Sequence, residues 1–60
     1  MTIYVEVREG ETVKAYTYAD ALNCDLVGPF FVVRRVHEDL YIRVDDITRA
    51  KVIHVNQTSH

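Results

Sequence analysis

TIYVEVREGETVKAYTY, residues 2–18, decides the fold class. Ile3, Val5 and Val7 alternate with Thr2, Tyr4, Glu6 and Arg8, the period of a strand that buries one face. Glu9-Gly10-Glu11 then interrupts the pattern with a glycine free to take positive φ. Alternation resumes with Val13, Ala15 and Thr17 against Lys14, Tyr16 and Tyr18. The spacing predicts a β-hairpin. With Glu9-Gly10-Glu11 as its turn, Arg8 sits opposite Thr12, Val7 opposite Val13, and Val5 opposite Ala15. The outer face then pairs Glu6 with Lys14 and Tyr4 with Tyr16, each pair contributing roughly 0.2–1 kcal/mol. A slip of one residue would exchange the faces.

Beyond Tyr18 the alternation stops. In ADALNCDL, residues 19–26, the spacing of Ala21, Leu22 and Leu26 suits one face of a helix, so a short helix or irregular loop is expected. Gly28-Pro29 ends it, because proline lacks an N–H and keeps the residue before it out of the α region. Residues 30–36 form the most apolar stretch, with Phe31 and Val33 opposed to Val32 and Val36 in direction. Both faces of this strand are therefore expected to be covered. His37-Glu38-Asp39 reads as a tight turn, after which Leu40, Ile42 and Val44 share one face, with Tyr41 and Arg43 on the other. This second hairpin sets Val36 opposite Leu40 and Val32 opposite Val44. Residues 45–49 read as a turn, 51–55 as the last strand, and 56–60 as a polar tail.

The expectation is one all-β, or mostly β, domain over residues 1–55: a small five-stranded antiparallel sheet with at most one short helix. The strand order resembles the SH3-like barrel, in which a single 3₁₀ turn separates the last two strands, and DDITR (45–49) stands in that place. The resemblance implies a fold and no function. The chain has no Trp, no aromatic ligand groove of the peptide-binding SH3 kind and no Sm-type RNA-binding signature.

Length and composition narrow the function. Sixty residues bury only about 60% of the surface that the unfolded chain exposes, so stability is marginal. Cys24 is the single cysteine, which excludes an internal disulfide, and no CxxC or paired Cys/His spacing points to zinc. Self-association is the remaining source of buried surface, so a homo-oligomer is expected. The net charge of −2 suits neither an acidic mimic of DNA nor a strongly basic nucleic-acid binder. Residues 1–29 carry five acids and two bases, and residues 30–60 carry four acids, five bases and all three histidines. No basic-then-apolar leader and no apolar run of membrane-spanning length occurs, and the lone thiol suits a reducing compartment. A cytoplasmic location with no membrane contact is expected.

The candidate sites follow from the same pattern. Asp45 and Asp46 are neighbours that point to opposite faces of a strand, which ill suits a shared metal ion. Asp46 is instead expected to cap the turn by accepting N–H bonds from Thr48 or Arg49, with Ile47 plugging the core. Cys24, with His37 or His54 as a base, lacks any nucleophile signature and reads as a structural thiol. No catalytic set, metal site or cofactor is expected. Tyr4, Tyr16 and Tyr18, with Lys14, are expected on one exposed face, a composition suited to protein contact. Arg35 and Arg43 are expected on one face near Tyr41; with Arg49 and Lys51 they form the alternative, a site for nucleic acid or a nucleotide-like anion, with a subunit seam as one place for it. The leading expectation is a non-catalytic binding module that modulates a protein partner as inhibitor or adaptor, a class that includes phage accessory proteins acting on host defence.

Overall fold

A computed structural model describes residues 1–53 of the chain. The fold is all-β, built as two three-stranded antiparallel sheets. Six strands follow in order: β1 (Thr2–Glu9), β2 (Thr12–Tyr18), β3 (Ala21–Val27), β4 (Phe30–Arg35), β5 (Asp39–Arg43) and β6 (Ile47–Ile53). One 3₁₀ turn, Val44–Asp46, separates β5 from β6, at the place the SH3-like pattern implies. The first sheet has the order β2-β1-β6 and the second β3-β4-β5. Their facing sides meet in a core of Ile3, Val5, Ala21 and Val33, with Val7, Tyr16, Tyr18, Cys24, Phe31, Leu40 and Ile42 packed around it.

The first hairpin forms, in a register one residue away from the expected one. Glu9 pairs with Thr12, and Val5 faces Tyr16 rather than Ala15. The reason is the turn. Gly10 adopts φ 67°, and no other residue between Glu9 and Thr12 has positive φ. A glycine with positive φ at the first central position is what a two-residue type II′ hairpin turn requires. The three-residue turn is therefore shortened to Gly10-Glu11, and every side chain of β2 changes face. Tyr16 and Tyr18 now pack beside Ile3 and Val5, while Val13 and Ala15 face outward.

Residues 21–27 are a strand, not the expected helix or loop. A bulge between Ala21 and Asn23 inserts Leu22 as an extra, exposed residue. It turns both Ala21 and Cys24 toward the core, while Leu22 and Leu26, which with Ala21 suggested a helical face, are exposed. Gly28, at φ 58°, opens a second two-residue turn with Pro29, again with glycine at the first central position.

In the second hairpin, Val33 faces Leu40, Phe31 faces Ile42 and Val32 faces Tyr41. The expected pairings of Val36 with Leu40 and Val32 with Val44 are thus displaced by three residues. The connection spans 36–38 and is closed by the Arg35 N–H donating to Glu38 O at 2.9 Å. Phe31, Val33, Leu40 and Ile42 face the first sheet. Val32 lies on the opposite face, yet it too is fully buried. The expectation that both faces of this strand are covered holds.

The last strand starts earlier than expected, at Ile47, and pairs with β1 through a bulge at Thr48. Ile47 is half-buried opposite Val7. Asp46 makes no hydrogen bond to Thr48 or Arg49; instead the Ile47 N–H donates to Val44 O, and the Thr48 hydroxyl donates to Glu6 O at 3.2 Å. Capping by Asp46 is therefore replaced by backbone closure. The end of the expected strand, His54 and the tail at 56–60 lie outside the described residues. Among the described residues, no helix is long and apolar enough to cross a membrane.

Candidate interaction faces

The register change breaks up the tyrosine face. Tyr4 points out of the first sheet beside Glu6 and Arg8, whereas Tyr16 and Tyr18 point in. The inward rings stack with centroids 6.4 Å apart at 11°. Tyr16 donates its phenol proton to Glu9 Oε2, and this hydrogen bond raises its pKa. Burial does the same for Tyr18. Lys14 leaves Glu6 and reaches Glu9 at 3.6 Å. Tyr16, Lys14 and Glu9 thus meet near the turn of the hairpin.

The cations do not form one cluster either. Arg35 faces inward on β4, opposite Ala21, and not beside Arg43 and Tyr41. Its Nε lies 3.0 and 3.1 Å from the two Asp20 oxygens, its Nη1 lies 3.0 Å from Glu38, and its guanidinium covers the Tyr18 ring at 5.3 Å. The bond from Arg35 holds the Asp20 carboxyl below its ordinary range. These contacts tie the short β2–β3 crossing at Ala19-Asp20 to the β4–β5 connection. Arg35 is engaged in holding the fold, so its carboxylate partners compete with any outside anion.

Two outward faces remain. On the first sheet, Tyr4 stands opposite Lys51 and Glu6 opposite Arg49. Lys51 Nζ sits 5.7 Å from the Tyr4 ring centroid. The Tyr4 phenol donates to Glu6 Oε2, which raises its pKa. Arg8 continues the same face, so three cations accompany one strand carboxylate.

On the second sheet, Tyr41 stands opposite Val32, and Arg43 opposite Phe30. Phe30 and Tyr41 meet edge to face, with centroids 5.9 Å apart at 86°. Tyr41 stays 59% exposed, although Val32 opposite it is fully buried. Val27, opposite Phe30, is 45% exposed. Val44 is fixed nearby, its N–H donating to Pro29 O at 2.9 Å, and is 41% exposed. Val27, Phe30 and Tyr41 thus share the outer face of the second sheet with Arg43. Sequence reasoning placed Tyr41 and Arg43 together but missed Phe30 and Val27. The Gly28-Pro29 turn that joins them is legible in the sequence as a chain stop, but not as the turn of a hairpin.

Cys24 is half-buried against the core. The described residues contain no group of three or more His, Cys, Asp or Glu placed to hold a metal ion. No protein-family model, curated protein or solved structure matches the chain.

Proposed function

We propose that this chain is a non-catalytic binding module, an inhibitor or adaptor, that contacts a protein partner through the outer face of the second sheet. The observation that carries this reading is Tyr41. It is an exposed aromatic ring that meets Phe30 edge to face and stands opposite the fully buried Val32, with Val27 and Arg43 on the same sheet face. Rigid tyrosines and arginines dominate the energetics of protein contacts, because they bury large area at small entropic cost. Tyr4, Tyr16 and Tyr18 do not make one outer face, since two of those rings support the core.

The test is affinity capture from cells that express the chain, followed by reconstitution with the purified partner. Tyr41→Ala should weaken that binding at least about tenfold, as truncation of an interface anchor does. Its thermal melt should stay close to that of the parent. Unchanged affinity would defeat the assignment.

The cation–aromatic face of the first sheet supports a second reading. Lys51, Arg49, Arg8 and Tyr4 suit an anionic chain such as single-stranded nucleic acid, whose phosphates pair with cations and whose bases stack on rings. Arg49→Glu should then abolish binding, and added salt should weaken it steeply. Arg43→Glu should leave it intact.

A further inference from the structure

We propose that β5 is a self-pairing edge, through which two copies of this chain join by antiparallel strand addition about a two-fold axis at Tyr41. Among the described residues, the four sheet edges are β2, β6, β3 and β5. An unpaired edge is a template for another strand unless its side chains discourage the contact. The charges on these strands decide which edge is open to a second copy. β2 carries only Lys14, β6 only Arg49 and Lys51, and β3 only Asp25. Reversal of β6 about Ala50 sets Arg49 against the partner's Lys51, a repulsive pair. β3 is interrupted by its bulge.

β5 differs from these. Its sequence, Asp39-Leu40-Tyr41-Ile42-Arg43, is complementary to its own reversal. A two-fold axis through Tyr41 sets Asp39 opposite the partner's Arg43, Leu40 opposite the partner's Ile42, and Tyr41 opposite the partner's Tyr41. Opposed residues of an antiparallel pair share a face, so the pattern is consistent on both sides. Asp39, Tyr41 and Arg43 lie outward, and Leu40 and Ile42 lie toward the core. Arg43 makes no ion pair among the described residues, while Asp39 holds Arg34 at 3.3 Å and keeps its other side open. Pairing would fuse two second sheets into one six-stranded sheet. It would also bring two Phe30–Tyr41 pairs side by side on one continuous outer surface. This supplies the buried surface that a chain of this length lacks.

The experiment is sedimentation equilibrium on the whole chain and two charge variants. The parent should approach twice its chain mass as concentration rises. Asp39→Arg alone puts like charges at both ends of the seam, and so does Arg43→Asp. Each should self-associate at least about tenfold more weakly, having exchanged two attractive pairs for two repulsive ones. Mixed in equal amounts, the two variants regain opposite charges at both ends and should form a heterodimer. Thermal melts of each variant separate loss of association from loss of fold, since Asp39→Arg also gives up the Arg34 pair. A second measurement fixes the register. Opposed α-carbons lie about 4.5–5.5 Å apart, within disulfide reach. In a Cys24→Ser background, Tyr41→Cys should therefore cross-link on mild oxidation and Asp39→Cys should not.

A parent that stays monomeric up to about 1 mM would overturn the proposal, since association weaker than that is negligible. So would a mixture that fails to pair, or equal cross-linking at both positions. The edge is separable from the partner-binding face. Tyr41→Ala strips the ring from the face but leaves the strand backbone and its charged ends, so each proposal can fail without the other.

Discussion

Truncating Val5 and Val13 to alanine, one at a time, tests the register of the first hairpin. Val5 is 0% exposed, lying between Tyr16 on β2 and Ala50 on β6. Val5→Ala removes two buried methyl groups, at about 0.8 kcal/mol each. A residual cavity of roughly 50 Å³ adds about 1.2 kcal/mol at about 24 cal/mol per Å³ if nothing relaxes. The expected loss is about 2–3 kcal/mol, a large share of the roughly 3–5 kcal/mol that a core of this size supplies. Val13 lies on the outer face at 52% exposure, so Val13→Ala should stay within about 0.5 kcal/mol of the parent. Urea unfolding followed by far-UV circular dichroism measures both. With a slope near about 1 kcal/mol per molar, the Val5→Ala midpoint should fall by about 2 M or more. Had the turn kept three residues, Val13 would face Val7 in the core. Equal losses for the two variants would refute the register.

Three further outcomes follow from the same geometry. Gly28→Ala should cost about 1–2 kcal/mol in the same urea assay, because φ of 58° is disfavoured for an L residue, while an added Cβ would meet nothing within 4 Å. Tyr4, Tyr16 and Tyr18 should ionise above their ordinary range in an ultraviolet titration, and Glu9→Gln should lower the Tyr16 transition. A raised folded pKa means that the Tyr16–Glu9 bond supports the fold below the unfolded value of about 10 and is lost as pH rises through the folded one. For Asp20 the sign is opposite: its lowered pKa gives support above the unfolded value of about 3.9, lost as pH falls through the folded one. Asp20→Asn should therefore flatten the acid limb of a melting-temperature profile.

The sequence by itself determined that this chain is a β protein. Alternation over residues 2–18 and at Leu40-Tyr41-Ile42 sets strand identity, because a half-buried strand must show a period of two. The apolar run at 30–36 marked the central strand with two covered faces, and the SH3-like resemblance implied a 3₁₀ turn before the last strand, which forms at Val44–Asp46. What pattern could not carry was parity. A period of two marks which residues share a face within one strand, yet leaves open which face meets the core once a turn changes by one residue. Gly10 shortened its turn, and Tyr16 and Tyr18 went inward with it. The bulge at Leu22 disguised β3, since it breaks the alternation and leaves the exposed Leu22 and Leu26 with Ala21 at a spacing that suits a helix. The displaced register of the second hairpin separated Arg35 from Arg43. The residues of the candidate faces were therefore visible in the sequence, but their grouping was not. Grouping depends on turn length, bulges and the packing of one sheet on the other, and these are decided by how best to fill a core of only a few side chains.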